Sequence, residues 1–365
     1  MAKHVGTVWE LDPHTAAKHM ILRRYLQAWL PILSRRSERV LYLDGFAGPG
    51  IYSEGEPGSP IIALRTAISF TPRITADLLF LFIEADRARY ESLQREVAKL
   101  TLPSNIHVQL VHGKCNDTMN AVLDEVDQQG QHLIPTFAFL DPFGFSHTPF
   151  SLIKRIARHP HCEVLITFMY EEINRFLSQQ DQPDNLDSLF GTPDWRTAAG
   201  LEVPKDRKGF IHGLYKRQLE TDAGISYVRS FEMVNRGNRT DYFLFFGTKS
   251  LKGLMKMKEA MWKVDVASGL QFSDATDPEQ TLVFTNEPNF GEVKALLVRQ
   301  FKGKRASMEE IKEYILVHTP YRETHYKKQV LKPMEQGVPP ELVVRESLPG
   351  RKKGQFPPGT KVEFL

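Results

Sequence analysis

The sequence predicts an α/β chain: a mostly parallel sheet, covered by helices on both faces and closed by an antiparallel hairpin, followed by a small winged-helix domain. Three observations predict it. Short apolar runs alternate with amphipathic segments from Val40 to Phe168, which implies parallel strands buried on both faces. Two runs of strand character, Tyr227 to Val234 and Tyr242 to Phe246, then flank Asn235-Arg236-Gly237-Asn238-Arg239, a loop whose Gly and Asn suit positive φ. From Phe290 onward, three helical segments precede two short strands around a basic tip, the order of a winged helix.

The elements follow in order. Asp12 and Pro13 signal a helix start, and Ala16, Ala17, Met20, Ile21, Tyr25, Trp29 and Leu33 recur at spacings of three and four, so a helix is predicted from Pro13 to Leu33. A buried strand over Val40 to Leu43 runs into Asp44-Gly45-Phe46-Ala47-Gly48-Pro49-Gly50, a glycine-rich turn. Ser59-Pro60 opens a further helix. Strands are then predicted at Leu78–Ile83, Ile106–Val111, Thr136–Leu140 and Glu163–Phe168, with helices at Arg87–Leu100, Asp117–Val126 and Thr148–Arg158 between them. A stretch rich in Gln, Asp and Pro, from about Asn174 to Pro204, reads as an insertion near the carboxyl edge of the sheet, placed to form a lid. In the tail, helices are predicted at Phe290–Phe301, Ser307–Val317 and Arg322–Gln336, and strands at Leu342–Glu346 and Thr360–Phe364.

Composition narrows the class. Hydrophobic residues make up 41% and charged residues 25% of 365, the balance of an ordinary folded protein. No apolar stretch approaches the ~18–20 residues of a bilayer span and no signal-peptide core is visible, so a cytoplasmic protein without a membrane role is predicted. Cys115 and Cys162 have no second pair nearby; neither a disulfide framework nor a metal site is predicted. The net charge of +3 is unevenly spread: Pro288 to Leu365 holds fifteen Lys and Arg against nine Glu and no Asp, hence +6, which leaves −3 for the rest. A basic tail on a mildly acidic body suits a polyanion, or a solvated surface.

Four strand ends carry candidate chemistry. After the first strand, Asp44 with Gly45, Phe46, Gly48 and Gly50 offers an acid and room for backbone to approach the amino-acid part of S-adenosylmethionine; the spacing is not GxGxxG, which disfavours a nicotinamide-dependent oxidoreductase. The free amides near Ser59 could meet the same ligand. Glu84, ending the second strand, can accept from ribose hydroxyls, with Asp86 capping the next helix. After the third strand, Cys115 and Asn116 stand where an adenine ring would be read, although Asn116 or Asp117 equally suits a helix cap. The fourth strand ends in Asp141-Pro142-Phe143-Gly144. Here an acid and a proline carbonyl can accept the hydrogens of a planar amine and leave its lone pair aimed at a methyl group, while Phe143 stacks; a tight turn after a core strand is the alternative.

The run DGFAGPG, followed by GSPIIAL (Gly58 to Leu64), LFIEAD and LDPFGF, resembles the three-Cys-motif partner family, bacterial proteins of methyltransferase fold, over most of the chain. The tetrad DPFG alone is also similar to that of tRNA guanine-N2 methyltransferases. The family resemblance implies an S-adenosylmethionine site at Asp44, Gly48, Gly50 and Glu84, a substrate-facing Asp141 to Gly144, and a partner protein with a three-cysteine, radical-S-adenosylmethionine-like motif. One departure falls after the third strand, where Lys114 replaces the acid usual in the family.

These readings give an N-terminal helical segment over 1–36, a Rossmann-like methyltransferase domain over 37–270 with a helical insertion at about 174–222, a linker over 271–288 and a winged-helix domain over 289–365. Arg322, His325, Lys327, Lys328 and Lys332 on the third tail helix, with Arg351, Lys352 and Lys353 at the hairpin tip, could neutralise phosphates of DNA or RNA; a protein-docking surface is the other use of such a fold. The function predicted is methyl transfer to an amine or base nitrogen, with a non-catalytic nucleic-acid adaptor that recruits the partner enzyme as the alternative.

Overall fold

Five apolar runs form the parallel strands β1 (Arg39–Asp44), β2 (Asp77–Glu84), β3 (Ile106–His112), β4 (Thr136–Leu140) and β5 (Cys162–Phe168). In this computed structural model, residues 6–179, 183–266, 268–273 and 288–365 are described. β4 and β5 are buried at every position, as expected of strands covered on both faces. β7 (Thr240–Thr248) lies antiparallel to β5 and to β6 (Tyr227–Val234), and the sheet runs β3-β2-β1-β4-β5-β7-β6-β8, with β8 at Gln271–Ser273. The chain is a Rossmann-like α/β sheet of methyltransferase type. Because β1 pairs with β2 on one side and β4 on the other, the strand order reverses at β1, and a crevice opens at the carboxyl ends there.

Helices α1 (Pro13–Ser34), α2 (Ser59–Ile68), α3 (Arg87–Ala98), α4 (Cys115–Gln128) and α5 (Phe150–Arg158) alternate with these strands. α1 starts where Asp12 accepts from the Thr15 amide at 2.8 Å, and its apolar stripe lays Tyr25 and Trp29 on Phe137 of β4, 5.0 and 5.9 Å between ring centres. The insertion begins earlier than expected, at Tyr170, and forms α6 (Tyr170–Gln179), α7 (Pro183–Phe190) and α8 (Pro204–Thr221). Leu186, Phe190 and Tyr215 are buried; Phe190 meets Phe168 edge-on and Tyr215 lies tilted over it, so α7 and α8 pack as a wall of the domain rather than as a separate lid. Hairpin residue Asn238 adopts φ +56.

Two compact units form, the first ending at Lys256 and regaining Phe272 and Ser273, the second taking Met257 to Gln271 and the residues from Pro288 onward. The break after Lys256 lies inside α9 (Leu251–Val264), a helix the apolar pattern did not reveal. Its second half belongs with the C-terminal unit because Trp262 sits in that unit's core and the buried Lys258 ammonium donates to the carbonyls of Ile315, Leu316 and Thr319 at 2.9–3.0 Å. Most of the linker predicted over 271–288, namely residues 274–287, lies outside the described residues, and 271–273 form β8.

The C-terminal unit has winged-helix order: α10 (Phe290–Phe301), β9 (Arg305–Ser307), α11 (Met308–His318), α12 (Lys332–Gln336), β10 (Leu342–Glu346) and β11 (Lys361–Phe364), with an antiparallel sheet β10-β11-β9. Ser307 and Glu310 cap α11 reciprocally. The third helix predicted over Arg322–Gln336 is broken into a 3-10 turn at Glu323–His325, a π turn at Lys327–Leu331 and α12. Pro333 explains the break: lacking an N–H and crowding the carbonyl four residues back, it widens the preceding turn, where the Lys332 amide reaches Lys327. No helix among the described residues is long and apolar enough to cross a membrane.

Candidate functional site

At the carboxyl ends of β1 to β4 two cavities, of about 550 and about 310 Å³, both border Phe46 and Phe143. The loop after β1 shapes both. Gly48 and Gly50 hold φ +65 and +80, values that favour glycine, and Gly50 backbone lies 3.1–3.3 Å from where a Cβ on Gly58 would stand. Asp44 sits beneath this loop, fully buried and lining neither cavity. Its carboxylate accepts from the Phe46 amide at 3.2 Å and bonds the Ser59 side chain, while burial, the largest effect, pushes its pKa up to about 7. Asp44 thus braces the loop from below. Ser59, Gly48 and Gly50 line the smaller cavity.

The larger cavity presents Glu84, whose two oxygens accept from the amides of Gly48 and Asp86, each at 2.8 Å. Gly45, Cys115 and Asn116 form another of its walls; a Cβ on Gly45 would stand 2.5 Å from the Cys115 sulfur, so this close packing requires glycine. Asn116 faces the cavity from the first turn of α4. The cap position belongs to Lys114, which corrects the reading of Asn116 or Asp117 as the cap; the Asn116 side-chain oxygen instead accepts from Asn120 at 3.0 Å. Burial raises the Cys115 thiol to about 12 and Cys162 to about 11, so neither is a thiolate at neutral pH.

Asp141 and Pro142 line the smaller cavity, whereas Gly144 lines neither and turns its carbonyl toward His147. Asp141 is already paired: Lys18 of α1, its side chain only 7% exposed, places Nζ 2.5 Å from Oδ2. The same ammonium lies 5.4 Å from the Tyr242 ring centre, and the buried Thr167 hydroxyl of β5 borders this cavity without a hydrogen-bond partner. Where the cavities meet, the Arg89 guanidinium packs against Trp9 and Phe143, 4.8 and 4.7 Å from their ring centres. Local spacing gives no signal for Thr167, Trp9 or Arg89. Lys18 did carry one: it occupies the apolar stripe of α1 with Leu22, Tyr25 and Trp29, a place where a lysine needs a partner.

The basic residues of the tail separate into two groups. Lys328, Lys332, Lys352 and Lys353 are exposed. His325 is buried against Trp262, Arg322 donates to the His325 ring, and Lys327 lies 3.4 Å from Glu323. Arg351 is turned inward to Glu335, each side chain 8% exposed, and Glu335 also accepts from the Gly354 amide at 2.7 Å. The broken third helix turns His325 inward, while Arg322 and Arg351 commit their guanidinium groups to His325 and Glu335.

The GMT-like wHTH domain family matches residues 271–337. No curated protein matches the sequence. Among solved structures the chain is similar to Trm1 of Pyrococcus horikoshii in complex with S-adenosyl-L-methionine (14% identity, TM-score 0.38, 72% of this chain), spanning 62% of that chain's length. It is also similar to an O-methyltransferase of Bacillus cereus in complex with SAH (13% identity, TM-score 0.34, 66% of this chain and 83% of that one). A third likeness is to the precorrin-6y C5,15-methyltransferase of Geobacter metallireducens (12% identity, TM-score 0.28, 62% and 87%). At such scores the fold assignment rests on strand order and register, and the domain match bears on the C-terminal unit.

Proposed function

We propose that the chain is an S-adenosylmethionine-dependent methyltransferase acting on an amine or base nitrogen, in nucleic acid held by the C-terminal unit, and working with a three-Cys-motif partner protein. One observation carries this reading: a cavity of nucleoside size containing the Glu84 carboxylate adjoins, across Phe46 and Phe143, a smaller one containing Asp141 and Pro142. The residues fit the donor. Glu84 retains lone pairs for ribose hydroxyls, Asn116 faces the larger cavity, and the positive-φ glycines clear space beside the loop. When bound, S-adenosylmethionine supplies an electrophilic methyl group on sulfonium sulfur.

The chain's own residues position the acceptor. Asp141 and the Pro142 carbonyl accept its amine hydrogens, Phe143, 48% exposed, offers a ring face, and Asp141 is a base able to take the departing proton. Burial keeps Cys115 and Cys162 protonated, and the proposed transfer uses no cysteine nucleophile. The partner is supported by the sequence runs DGFAGPG and LDPFGF, and nucleic acid by the exposed lysines of the winged helix. A radiolabelled methyl-transfer screen over DNA, tRNA, rRNA and the three-Cys-motif protein tests the reading. Label in a nucleic acid supports it, and label in none of them favours the adaptor.

A further inference from the structure

We infer that Lys18 and Asp141 act together as a donor–acceptor pair that selects an acceptor bearing an exocyclic amine next to an unprotonated ring nitrogen, the amidine-like edge of an aminopyrimidine or aminopurine base. The inference rests on the methyl-transfer reading and names its substrate class. An ammonium has three donors. In Lys18 one is given to Asp141 at 2.5 Å and the Tyr242 ring lies 5.4 Å away, which leaves a donor for a ligand in the cavity that all three residues line. Asp141, 22% exposed, keeps oxygen lone pairs open to the same space. A group placed there meets a carboxylate that accepts and an ammonium that donates, side by side.

An amine–imine edge satisfies both at once. A carbonyl next to a protonated ring nitrogen, as in uracil, offers no amine to Asp141, and hypoxanthine lacks the amine of guanine. The pocket has further polarity to match: the buried Thr167 hydroxyl borders it without a partner, so a ligand atom there would relieve an unsatisfied group. His19, also lining it, is held neutral, its pKa lowered to about 4 by burial and by Lys18. The cavity also holds the carboxylates of Asp12 and Asp241. It is therefore suited to a base edge and not to a phosphate.

The test uses the full chain with S-adenosylhomocysteine filling the donor site, and ligand-observed NMR titration of nucleosides. Cytidine or guanosine should bind at least about tenfold more tightly than uridine or inosine, because a buried polar group without its partner discriminates strongly. Lys18→Met should weaken the favoured nucleoside about tenfold, and Lys18→Arg, which keeps a donor, should restore part of the loss. Equal S-adenosylhomocysteine affinity in both variants shows that the fold is intact. Binding of S-adenosylhomocysteine with no nucleoside preference, or a preference that Lys18→Met leaves intact, overturns the pair alone. No binding of S-adenosylhomocysteine overturns the methyl-transfer reading and the pair with it.

Discussion

The Glu84 carboxylate at the end of β2 accepts a hydrogen bond from the Gly48 amide, 2.8 Å away in the loop after β1. Its second oxygen takes the Asp86 amide, so one acid fixes both the glycine turn and the start of α3. Glu84→Gln presents an amide nitrogen, itself a donor, to one of these two donors. The expected cost is about 1–3 kcal/mol, since a buried amide is left unpaired, read as a lower urea midpoint. Affinity for S-adenosylmethionine should fall with it, about tenfold or more.

Asp44 gives a pH signature. Its folded pKa, about 7, exceeds the ordinary aspartate value of 3.8. Between those values the folded state holds a proton that the unfolded state has lost, so the contribution is full below about pH 4 and disappears as pH rises through about 7. Relative to Asp44→Asn, wild-type stability should decline across this window by at most about 1.4 kcal/mol per pH unit and level off above it. Urea midpoints for both proteins from about pH 3.5 to about pH 8 bracket the window and check this; parallel curves would contradict it.

Breaking the pair of Lys18 and Asp141 has a cost that depends on which partner remains. Asp141→Leu strands an ammonium in a nearly closed site and should destabilise by about 3 kcal/mol, whereas Lys18→Met combined with Asp141→Leu should recover most of that loss. Thermal unfolding of the two single variants and the double variant closes the cycle. Additive losses would mean that the two side chains do not interact. With an identified substrate, Asp141→Ala should abolish methyl transfer.

Charges in the winged helix should divide by burial. Arg351→Gln leaves the Glu335 carboxylate without its cation, with the Gly354 amide still bound, and should lower the melting temperature of the C-terminal unit, since the pair ties the hairpin loop to α12. Lys328→Gln with Lys332→Gln should leave the melting temperature unchanged and weaken DNA or RNA binding. If both contact phosphate, the slope of log K against log salt drops by about 0.9 per contact. The measurement is fluorescence anisotropy at several salt concentrations.

β1, β2, β4 and β5 were legible because each is a short apolar run whose burial on both faces leaves little polar alternation to confuse it; β4, β6 and β10 were bounded to the residue. Glycine, acid and proline at the strand ends likewise located the crevice. What escaped depended on distance. Lys18 meets Asp141 across more than a hundred residues. α9 hides its periodicity because Lys258 occupies an apolar-face position between Leu254, Met257 and Met261, where its ammonium is held by carbonyls at the end of α11. In the tail, charge alone could not separate Arg351, which faces Glu335, from Lys352 and Lys353, which face solvent. Position relative to Pro333 decided where the third helix breaks.

The account turns on whether the crevice over β1 to β4 holds S-adenosylmethionine. Isothermal titration of the full chain with that compound tests it most directly: a single site of micromolar Kd, weakened in Glu84→Gln, is the predicted result. No heat of binding in a folded wild-type protein, or binding that Glu84→Gln leaves unaltered, would contradict it.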